Sequence, residues 1–252
     1  LNVAKWSGTS WSAMGYGLNQ YVEDLEMFQG NLYAGGWFTA SGSTTINKIA
    51  VWNGTSWGAV GTSMSGNLAG RHVNALEATA TTLYAGGSFT NIGGITAANI
   101  AGWNGTSWQT LGTGTSSTVR TLLNVGTTLY AGGDFSTAGG ITVGMIAKWE
   151  GNLWTALSTG TNGSVYSLAT DGTNLYVGGD FGMAGGITAS KIAKWNGTTW
   201  SALSTTITRT VFAVAYTPSK LYMGGSINET FGIYDGSTVS FPAYSFDITN
   251  DN

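Results

Sequence analysis

Three residues in the first part of the chain carry side chains suited to holding a polar ligand. Trp37 stands directly after a double glycine, and Arg71 and His72, the single histidine of the sequence, follow a stretch rich in Ser, Gly and Asn. An indole ring stacks on a sugar or on a partner side chain, while guanidinium and imidazole groups hydrogen-bond hydroxyls and carboxylates. These residues predict a non-covalent binding site for a glycan or a protein surface.

A second group of candidate contacts stands beside a valine that recurs in five segments of the chain. The residue after that valine differs each time: Glu23, Asn74, Arg120, Tyr166 and Phe212. Because the chemistry changes while the valine stays, we expect this position to line a pocket, with Glu23, Asn74, Arg120 and Tyr166 as ligand contacts. Variation without function is the alternative interpretation.

Catalytic chemistry has fewer candidates. A Ser-His-Asp arrangement would have to use His72, and we expect no Gly-x-Ser-x-Gly nucleophile elbow. The sequence contains neither His-Glu-x-x-His nor a phosphate-binding or calcium-binding loop. Glu23, Asp24 and Glu26 could supply the two carboxylates that glycoside hydrolysis needs, although such a cluster in one short strand is typical of a polar rim. We therefore predict that the protein is not an enzyme, with a glycan-active hydrolase as an alternative.

The composition narrows the range of partners. Only 8% of the residues are charged, against about a quarter in ordinary soluble domains, and the net charge is −3. The sequence has no basic patch, which argues against nucleic acid or an anionic membrane as a partner. No apolar run approaches the ~18 residues of a spanning helix, so we expect no membrane insertion. Cysteine is absent, which removes disulfides and thiolate metal sites, and we predict no metal and no cofactor.

The candidate residues belong to a repeat that fills nearly the whole chain. The phrase Leu-Tyr-x-Gly-Gly occurs five times, with its tyrosine at positions 33, 84, 130, 176 and 222. The first two tyrosines are 51 residues apart, and the later neighbours are 46 apart. A second phrase, Trp-Asn-Gly-Thr-x-Trp with variants, pairs tryptophans at 6/11, 52/57, 103/108, 149/154 and 195/200. Self-similarity at about 40 to 50 residues is the signature of propeller blades.

We predict an all-β fold of one domain over residues 1–252, a β-propeller of four-stranded antiparallel blades. The repeats span about 15–60, 61–111, 112–157, 158–203 and 204–245. Five blades are expected, with six as the alternative, and residues 1–14 form a strand pair involved in ring closure. In one closure this pair completes the last blade. In the other, residues 231–243 finish that blade and the N-terminal pair is surplus or belongs to another unit.

The fourth copy illustrates how the repeat forms a blade. Its predicted strands are residues 165–168, 175–177, 192–195 and 200–203, without helical periodicity. Asp171-Gly172 and Asn196-Gly197 predict tight turns with positive φ. Gly178-Gly179 ends the second strand, where an aromatic side chain of a neighbouring blade is expected to approach closely. A long loop over residues 181–190 follows.

Repetition separates scaffold from candidate site. The paired tryptophans are expected to be buried between blades, and Asn-Gly-Thr at Asn53, Asn104 and Asn196 is interpreted as a turn rather than a glycosylation site. Gly-Gly-Ile-Thr recurs in three long loops and predicts loop scaffold. Because strands alternate in direction, the long loops share one end of the ring, which we expect to be the binding end. Five extra residues around 63–70 are expected to place Arg71 and His72 at this end. We therefore expect one or two binding sites between the first two blades.

The repeat resembles the kelch motif and its relatives in galactose-oxidase-like propellers. It is most similar to the variant repeats LYVGGDF…AGGIT…IAKWNGTTW of secreted or surface bacterial proteins, fungal cell-surface polarity markers and phage appendages. The resemblance covers about residues 3–245 and implies a propeller with a binding function. The copper-radical oxidases on this fold need a cysteine-linked tyrosine and histidine ligands, whereas this chain has no Cys and one His, so that activity is excluded.

Two functions remain open at this point. The first is a non-catalytic recognition propeller, extracellular, on a cell surface or on a virion, that binds glycan or protein through its long-loop face. The second is a structural module of a larger surface or viral assembly. The chain starts within a repeat, which suggests a processed product or a piece of a longer parent chain.

Overall fold

The structure is a computed structural model that describes residues 2–62, 64, 69–226 and 231–242. All regular secondary structure in these residues is β-strand, which confirms the all-β prediction. The same residues include no helix with the length and apolarity that crossing a bilayer requires. Residues 63 and 65–68 of the predicted insertion lie outside the described residues, as does the end of the last predicted repeat.

The strands follow the chain as one hairpin and five repeats. The hairpin consists of β1 (Ala4–Trp6) and β2 (Trp11–Ala13). The first repeat contains β3 (Val22–Phe28), β4 (Asn31–Gly36), β5 (Ala40–Ser41), β6 (Thr44–Thr45), β7 (Ile49–Trp52) and β8 (Trp57–Ala59). The second contains β9 (His72–Ala78), β10 (Leu83–Ser88), β11 (Asn91–Ile92), β12 (Ile95–Thr96), β13 (Ile100–Trp103) and β14 (Trp108–Thr110).

The remaining repeats follow the same order. The third contains β15 (Val119–Val125), β16 (Thr128–Gly133), β17 (Thr137–Ala138), β18 (Ile141–Thr142), β19 (Ile146–Glu150) and β20 (Leu153–Ala156). The fourth contains β21 (Val165–Thr170), β22 (Leu175–Gly179), β23 (Met183–Ala184), β24 (Ile187–Thr188), β25 (Ile192–Trp195) and β26 (Trp200–Ala202). The fifth contains β27 (Val211–Thr217), β28 (Lys220–Gly225), β29 (Phe231–Tyr234) and β30 (Val239–Ser240).

Four strands of each repeat pair in chain order into one antiparallel sheet, and we number these sheets 1 to 5 along the chain. The predicted four-stranded antiparallel blade is thereby confirmed. The first of the two predicted closures is wrong, because β29 and β30 supply the third and fourth strands of sheet 5. The N-terminal pair β1–β2 forms a separate two-stranded sheet, as the second closure expects for a surplus pair.

The chain divides into two compact units, Leu1–Gly160 and Thr161–Asn252. The first unit holds the hairpin and sheets 1 to 3, and the second holds sheets 4 and 5. Within each unit the apolar core lies between successive sheets. Phe28 and Ile49 of sheet 1 share one cluster with Val73 of sheet 2, while Ile192 of sheet 4 packs with Val211 of sheet 5. The single domain over residues 1–252 stays a prediction.

The double glycine of each repeat lies opposite a β-bulge. In sheet 1, Val22 pairs with Gly36 and Asp24 pairs with Gly35, so Glu23 is the extra residue of β3. A Cβ on Gly36 would collide with the backbone carbonyl of the residue before Val22. Bulges of this kind often use glycine because the strand bends and backbone approaches backbone. The second glycine of the pair is therefore required by the bulge itself.

The first glycine of the pair makes room for the neighbouring sheet. A Cβ on Gly35 would lie 2.6 Å from Cγ1 of Val73, on the first strand of sheet 2. In the second unit, a Cβ on Gly178 would lie 2.8 Å from Cγ1 of Val211. The close neighbour is thus a valine, so the prediction of an aromatic side chain there is wrong.

Four of the long loops contain a small hairpin, formed by β5–β6, β11–β12, β17–β18 and β23–β24. In repeats 2 to 4 the turn of this hairpin packs on the second tryptophan of the same repeat; a Cβ on Gly139, for example, would lie 2.7 Å from Cδ1 of Trp154. In the first repeat, Gly42 packs on Tyr16 instead. Gly139 has φ +59°, a conformation that favours glycine. The recurring Gly-Gly-Ile-Thr phrase therefore acts as loop scaffold, as predicted.

The tryptophans of each pair face each other across the third and fourth strands. Trp103 and Trp108 are cross-strand partners with ring centroids 5.4 Å apart, and the Nε1 group of Trp108 donates to the carbonyl of Val60 in the preceding repeat. A Cβ on Gly61 would lie 2.8 Å from the Trp103 ring, so the indoles fill the space between sheets 1 and 2. Eight paired tryptophans are buried or partly buried, but Trp6 and Trp11 are 49% and 71% exposed, and for them the burial prediction is wrong.

The Asn-Gly turns span four residues, and the glycines Gly54, Gly105 and Gly197 have the positive φ that the sequence predicts. Asn53 and Ser56 close the loop between β7 and β8 by a backbone hydrogen bond, and Gly54 has φ +100°. The Oδ1 atom of Asn53 accepts the N–H groups of Thr55 and Ser56. Asp235 and Ser7 accept equivalent bonds in their loops through short side chains with an acceptor oxygen. In the third repeat the same place is taken by Glu150, the last residue of β19.

Candidate functional site

The five variable residues beside the recurring valine occupy one structural position. Each is the extra residue of the bulge in the first strand of its sheet: Glu23, Asn74, Arg120, Tyr166 and Phe212. A bulge re-aims the side chain of its extra residue and frees it from the regular cross-strand pairing. The residue type at this position can therefore differ between repeats, while the double glycine keeps the backbone conformation the same.

Trp37 is held at the end of β4 by two backbone contacts. Its N–H donates to the carbonyl of Tyr21 at 2.9 Å, and its carbonyl accepts a hydrogen bond of 2.7 Å from Nζ of Lys48. Lys48 is 4% exposed and has φ +70°, a left-handed conformation that is uncommon for lysine. Burial lowers the pKa of Lys48. The lysine thus fixes the backbone of Trp37 from inside the loop.

His72 of sheet 2 stacks on Trp37 of sheet 1. The two ring centroids are 4.0 Å apart with 12° between the planes. The Nδ1 atom of His72 lies 3.1 Å from the carbonyl of Gly70, and since a carbonyl only accepts, Nδ1 carries the proton. Burial lowers the pKa of His72, although the nearby carboxylate of Glu23 opposes that shift, so the ring is neutral near pH 7. The imidazole ring of His72 covers one face of the indole ring of Trp37.

The other predicted contacts of the first unit are engaged by protein groups. Nη1 of Arg71 donates to Oδ1 of Asn91 at 3.4 Å, on the small hairpin of sheet 2. Nδ2 of Asn74 donates to the carbonyl of Val119 at 2.9 Å, which joins sheets 2 and 3. Nε of Arg120 binds Oδ1 of Asp134 at 2.8 Å within sheet 3. These three side chains therefore form contacts that stabilise the fold.

Tyr166 belongs to the second unit. Its ring lies edge-on to Phe212, with centroids 5.3 Å apart. The bulge residues of sheets 4 and 5 thus contact each other. The structure places Tyr166 in this aromatic pair, and its role as a ligand contact stays a prediction.

An open pocket of about 700 Å³ lies beside Trp37 in the first unit. Its lining residues are Asn2, Asn19, Gln20, Tyr21, Glu23 and Trp37. Asn19 is scaffold, because its Oδ1 accepts the N–H groups of Thr39 and Ala40. Tyr21 is 73% exposed, and no side-chain hydrogen bond within the described residues engages Gln20, Tyr21 or Glu23. The pocket therefore offers an amide, a phenol, a carboxylate and an indole to a ligand.

Sequence reasoning found Trp37 and Glu23 but missed Lys48, Gln20 and Tyr21. Lys48 precedes the third strand at a position that is also left-handed in three other repeats, at Asn99, Met145 and Lys191. The residue types at this position are Lys, Asn, Met and Lys, so the recurrence lies in the backbone conformation and not in the residue type. Gln20 and Tyr21 align with Arg71 and His72 when the repeats are superposed on the recurring valine, which was the available signal.

The carboxylates proposed for a hydrolytic pair do not converge on this pocket. Asp24 accepts the N–H groups of Leu25 and of Leu76 in sheet 2, both at 2.8 Å, so its carboxylate joins two sheets. Burial raises the pKa of Asp24, while these two bonds lower it. Glu23 alone among the acidic candidates lines the pocket. Among the described residues, no group of three His, Asp or Glu side chains is arranged to hold a metal ion.

One segment matches the Gly-x-Ser-x-Gly spacing of a nucleophile elbow, residues 54–58. It forms the exposed loop between β7 and β8, two strands of one antiparallel sheet, instead of a turn from a strand into a helix. Ser56 there is bound by Asn53. This match is therefore part of the turn scaffold.

No protein-family model matches the sequence, and no curated protein matches it either. Solved structures do resemble the chain. The WD40 β-propeller domain of Doa1 has a TM-score of 0.60 at 12% identity, over 88% of this chain and 68% of the other. This fold is a β-propeller. Each four-stranded sheet of this propeller is a blade, and sheets 1 to 5 are called blades 1 to 5 below.

Two further structures have the same likeness. The designed protein Ika8 has a TM-score of 0.55 at 17% identity, over 88% of this chain and 61% of Ika8. The extracellular domain of the one-component system BT4673 from B. thetaiotaomicron has a TM-score of 0.63 at 12% identity, over 96% of this chain and 30% of the other. The propeller thus spans less than two thirds of either chain. At these identities the likeness concerns the fold, and the kelch-like resemblance stays a prediction.

Proposed function

We propose that this propeller is a non-catalytic recognition module that binds carbohydrate in the pocket beside Trp37. The observation that carries the proposal is the set of groups on that pocket, namely the indole of Trp37, the phenol of Tyr21, the amide of Gln20 and the carboxylate of Glu23. Aromatic rings stack on the C–H faces of a sugar, and amides and carboxylates pair with its hydroxyls. Sites of this kind combine aromatic walls with a few convergent polar groups.

The rigidity of Trp37 supports the same proposal. His72 covers one face of the indole, while Lys48 and Tyr21 hold its backbone. A side chain whose position is fixed in advance loses little conformational freedom when a ligand binds. A preformed aromatic platform is therefore ready to accept one sugar ring.

The non-catalytic part of the proposal rests on the carboxylates. Glycoside hydrolysis needs a second carboxyl group across the scissile bond from the first. Among the described residues that line this pocket, Glu23 is the single carboxylate, and Asp24 is held by backbone N–H groups. The extracellular, cell-surface or virion setting is part of the proposal, and the extracellular location named for BT4673 agrees with it.

A glycan-array screen of the intact chain tests this proposal, followed by titration calorimetry with any glycan found. We expect one ligand per chain, and loss of binding by at least tenfold in Trp37→Ala. Trp11→Ala is the matched control, because Trp11 is an exposed indole outside the pocket. A stoichiometry of four or five that Trp37→Ala leaves undiminished would contradict the proposed site.

A second candidate, a structural module of a larger assembly, is favoured by the hairpin β1–β2. In the described part of the chain its strands pair only with each other, and Trp6 and Trp11 are 49% and 71% exposed. Exposed large apolar side chains on an open strand edge often mark an interaction surface. Mass measurement in solution tests this candidate: association that Trp11→Ser abolishes would support it, and a monomer at high concentration would count against it.

A further inference from the structure

We propose that Glu23 makes the pocket beside Trp37 selective for glycans that carry a protonated amino group, such as de-N-acetylated hexosamine chains, over neutral and acidic glycans. The inference rests on the proposed carbohydrate-binding function and adds a ligand class to it. It follows from the charges on and around the pocket.

Among the described residues that line the pocket, Glu23 is the single charged side chain; the others are three amides and two aromatic rings. As the extra residue of the bulge in β3, it is released from the cross-strand register and is exposed. No hydrogen bond or ion pair within the described residues engages its carboxylate. The pocket therefore presents an uncompensated negative charge.

Four basic side chains of the first unit, Lys48, Arg71, His72 and Arg120, are directed to protein groups. Nζ of the buried Lys48 donates to the carbonyl of Trp37, and Nη1 of Arg71 donates to Asn91. Arg120 forms an ion pair with Asp134 at 2.8 Å. His72 is neutral near pH 7, because burial lowers its pKa and its Nδ1 proton is donated to Gly70. None of these groups lines the pocket, so the charge of Glu23 is left to the ligand.

An ammonium group satisfies that charge better than a hydroxyl does. A charge-assisted hydrogen bond between an ammonium and a carboxylate is roughly twice as strong as a neutral one. The rings of Tyr21 and Trp37 border the same space, and a cation near their faces gains a further attraction. An acidic sugar would instead place a carboxylate against Glu23, which is unfavourable.

The test compares chitin oligosaccharides of equal length in their N-acetylated and deacetylated forms, with an oligogalacturonide as the acidic ligand. Titration calorimetry with the intact chain at about pH 7 keeps most of the amino groups protonated and His72 neutral. We expect the deacetylated form to bind about tenfold more tightly than the N-acetylated form, equivalent to about 1.4 kcal/mol, and the preference to weaken with salt. The acidic ligand should bind most weakly.

Glu23→Gln isolates the charge, since it keeps the size and hydrogen-bonding capacity of the side chain. This variant should bind the deacetylated and N-acetylated forms with similar affinity, and so lose the preference for the amine. Glu26→Gln, on the same strand but outside the pocket, is the control and should keep it. Equal binding of both forms by the wild type, or a preference that persists in Glu23→Gln, would overturn this inference and leave the proposed function intact. If no glycan binds, the proposed function fails and the inference fails with it.

Discussion

The imidazole of His72 lies parallel to the indole of Trp37, with ring centroids 4.0 Å apart and 12° between the planes. The two residues come from different blades and are separated by 35 positions in the chain. Stacked aromatic pairs contribute about 0.5–1.5 kcal/mol beyond the area they bury. The contact therefore both joins blades 1 and 2 and fixes the ring that lines the pocket.

Removing the imidazole of His72 should make the indole of Trp37 more mobile and leave the indole in the pocket. We expect His72→Ala to lower the free energy of unfolding by about 1 kcal/mol and to weaken glycan binding several-fold, whereas His72→Phe should retain most of both. Urea unfolding and titration calorimetry measure the two effects. A double-mutant cycle with Trp37→Ala gives the coupling between the rings, and a coupling near zero would show that the stack does not position Trp37.

The paired tryptophans should contribute unequally to stability. Trp154 is 7% exposed and its Nε1 group donates to the carbonyl of Leu111 at 2.8 Å. Trp154→Ala therefore removes a large buried side chain and the hydrogen bond to that carbonyl. We expect a loss of about 3–5 kcal/mol in the free energy of unfolding. Trp11→Ala, at an exposed position, should cost less than about 0.5 kcal/mol. Comparable losses in the two variants, measured by denaturant unfolding, would contradict the packing described here.

Much of the fold follows from the repeat, because the repeat fixes where strands and turns occur. The strands predicted for the fourth copy agree with β21, β22, β25 and β26 to within a few residues. The exposure of Trp6 and Trp11 was not predictable, since β1 and β2 carry the same phrase as buried strands in other repeats. What differs there is the absence of first and second strands beside them in the described residues, a tertiary fact that the phrase does not encode.

The candidate site was predictable only where a departure from the repeat was visible. Trp37 and His72 differ from their counterparts in the other copies, and the structure brings these two together. The role of Lys48 was not predictable, because it depends on a left-handed backbone and on a carbonyl acceptor. The residue type indicates neither of these. Asp24 is a catalytic candidate by residue type alone, whereas its hydrogen bond to Leu76 shows a role in joining blades.

The turn glycines should matter for stability and not for binding. Gly54 has φ +100°, and a Cβ there would meet no atom within 4 Å, so the cost of Gly54→Ala comes from the backbone alone. We expect a loss of about 1 kcal/mol in the free energy of unfolding with unchanged glycan affinity. Gly58→Ala is the control, because Gly58 lies in β8 with an ordinary φ and only one atom near the added methyl group. A change in affinity without loss of stability would contradict the assignment of this loop to scaffold.

Glu77 should make the stability of the propeller depend on pH near neutrality. Burial raises the pKa of this carboxyl to about 7; the charges of Glu26 and Asp24 add to that shift, and the N–H of Asn124 opposes it. In the unfolded chain a glutamate has a pKa of about 4.3. Between these two values the folded protein keeps a proton that the unfolded chain has released, so stability falls as the pH rises through this window.

Replacing the carboxyl by an amide should remove that dependence. We expect Glu77→Gln to lose less stability than the wild type between pH 5 and 8, by an amount on the order of 1 kcal/mol once solvent screening is allowed for. Thermal unfolding across this range measures the slope. Glu150→Gln is the matched control: Lys148 and Thr128 hold the pKa of Glu150 below its usual value, so that residue does not titrate in this window. Identical slopes in the wild type and Glu77→Gln would show that Glu77 is already ionised in the folded protein at pH 5.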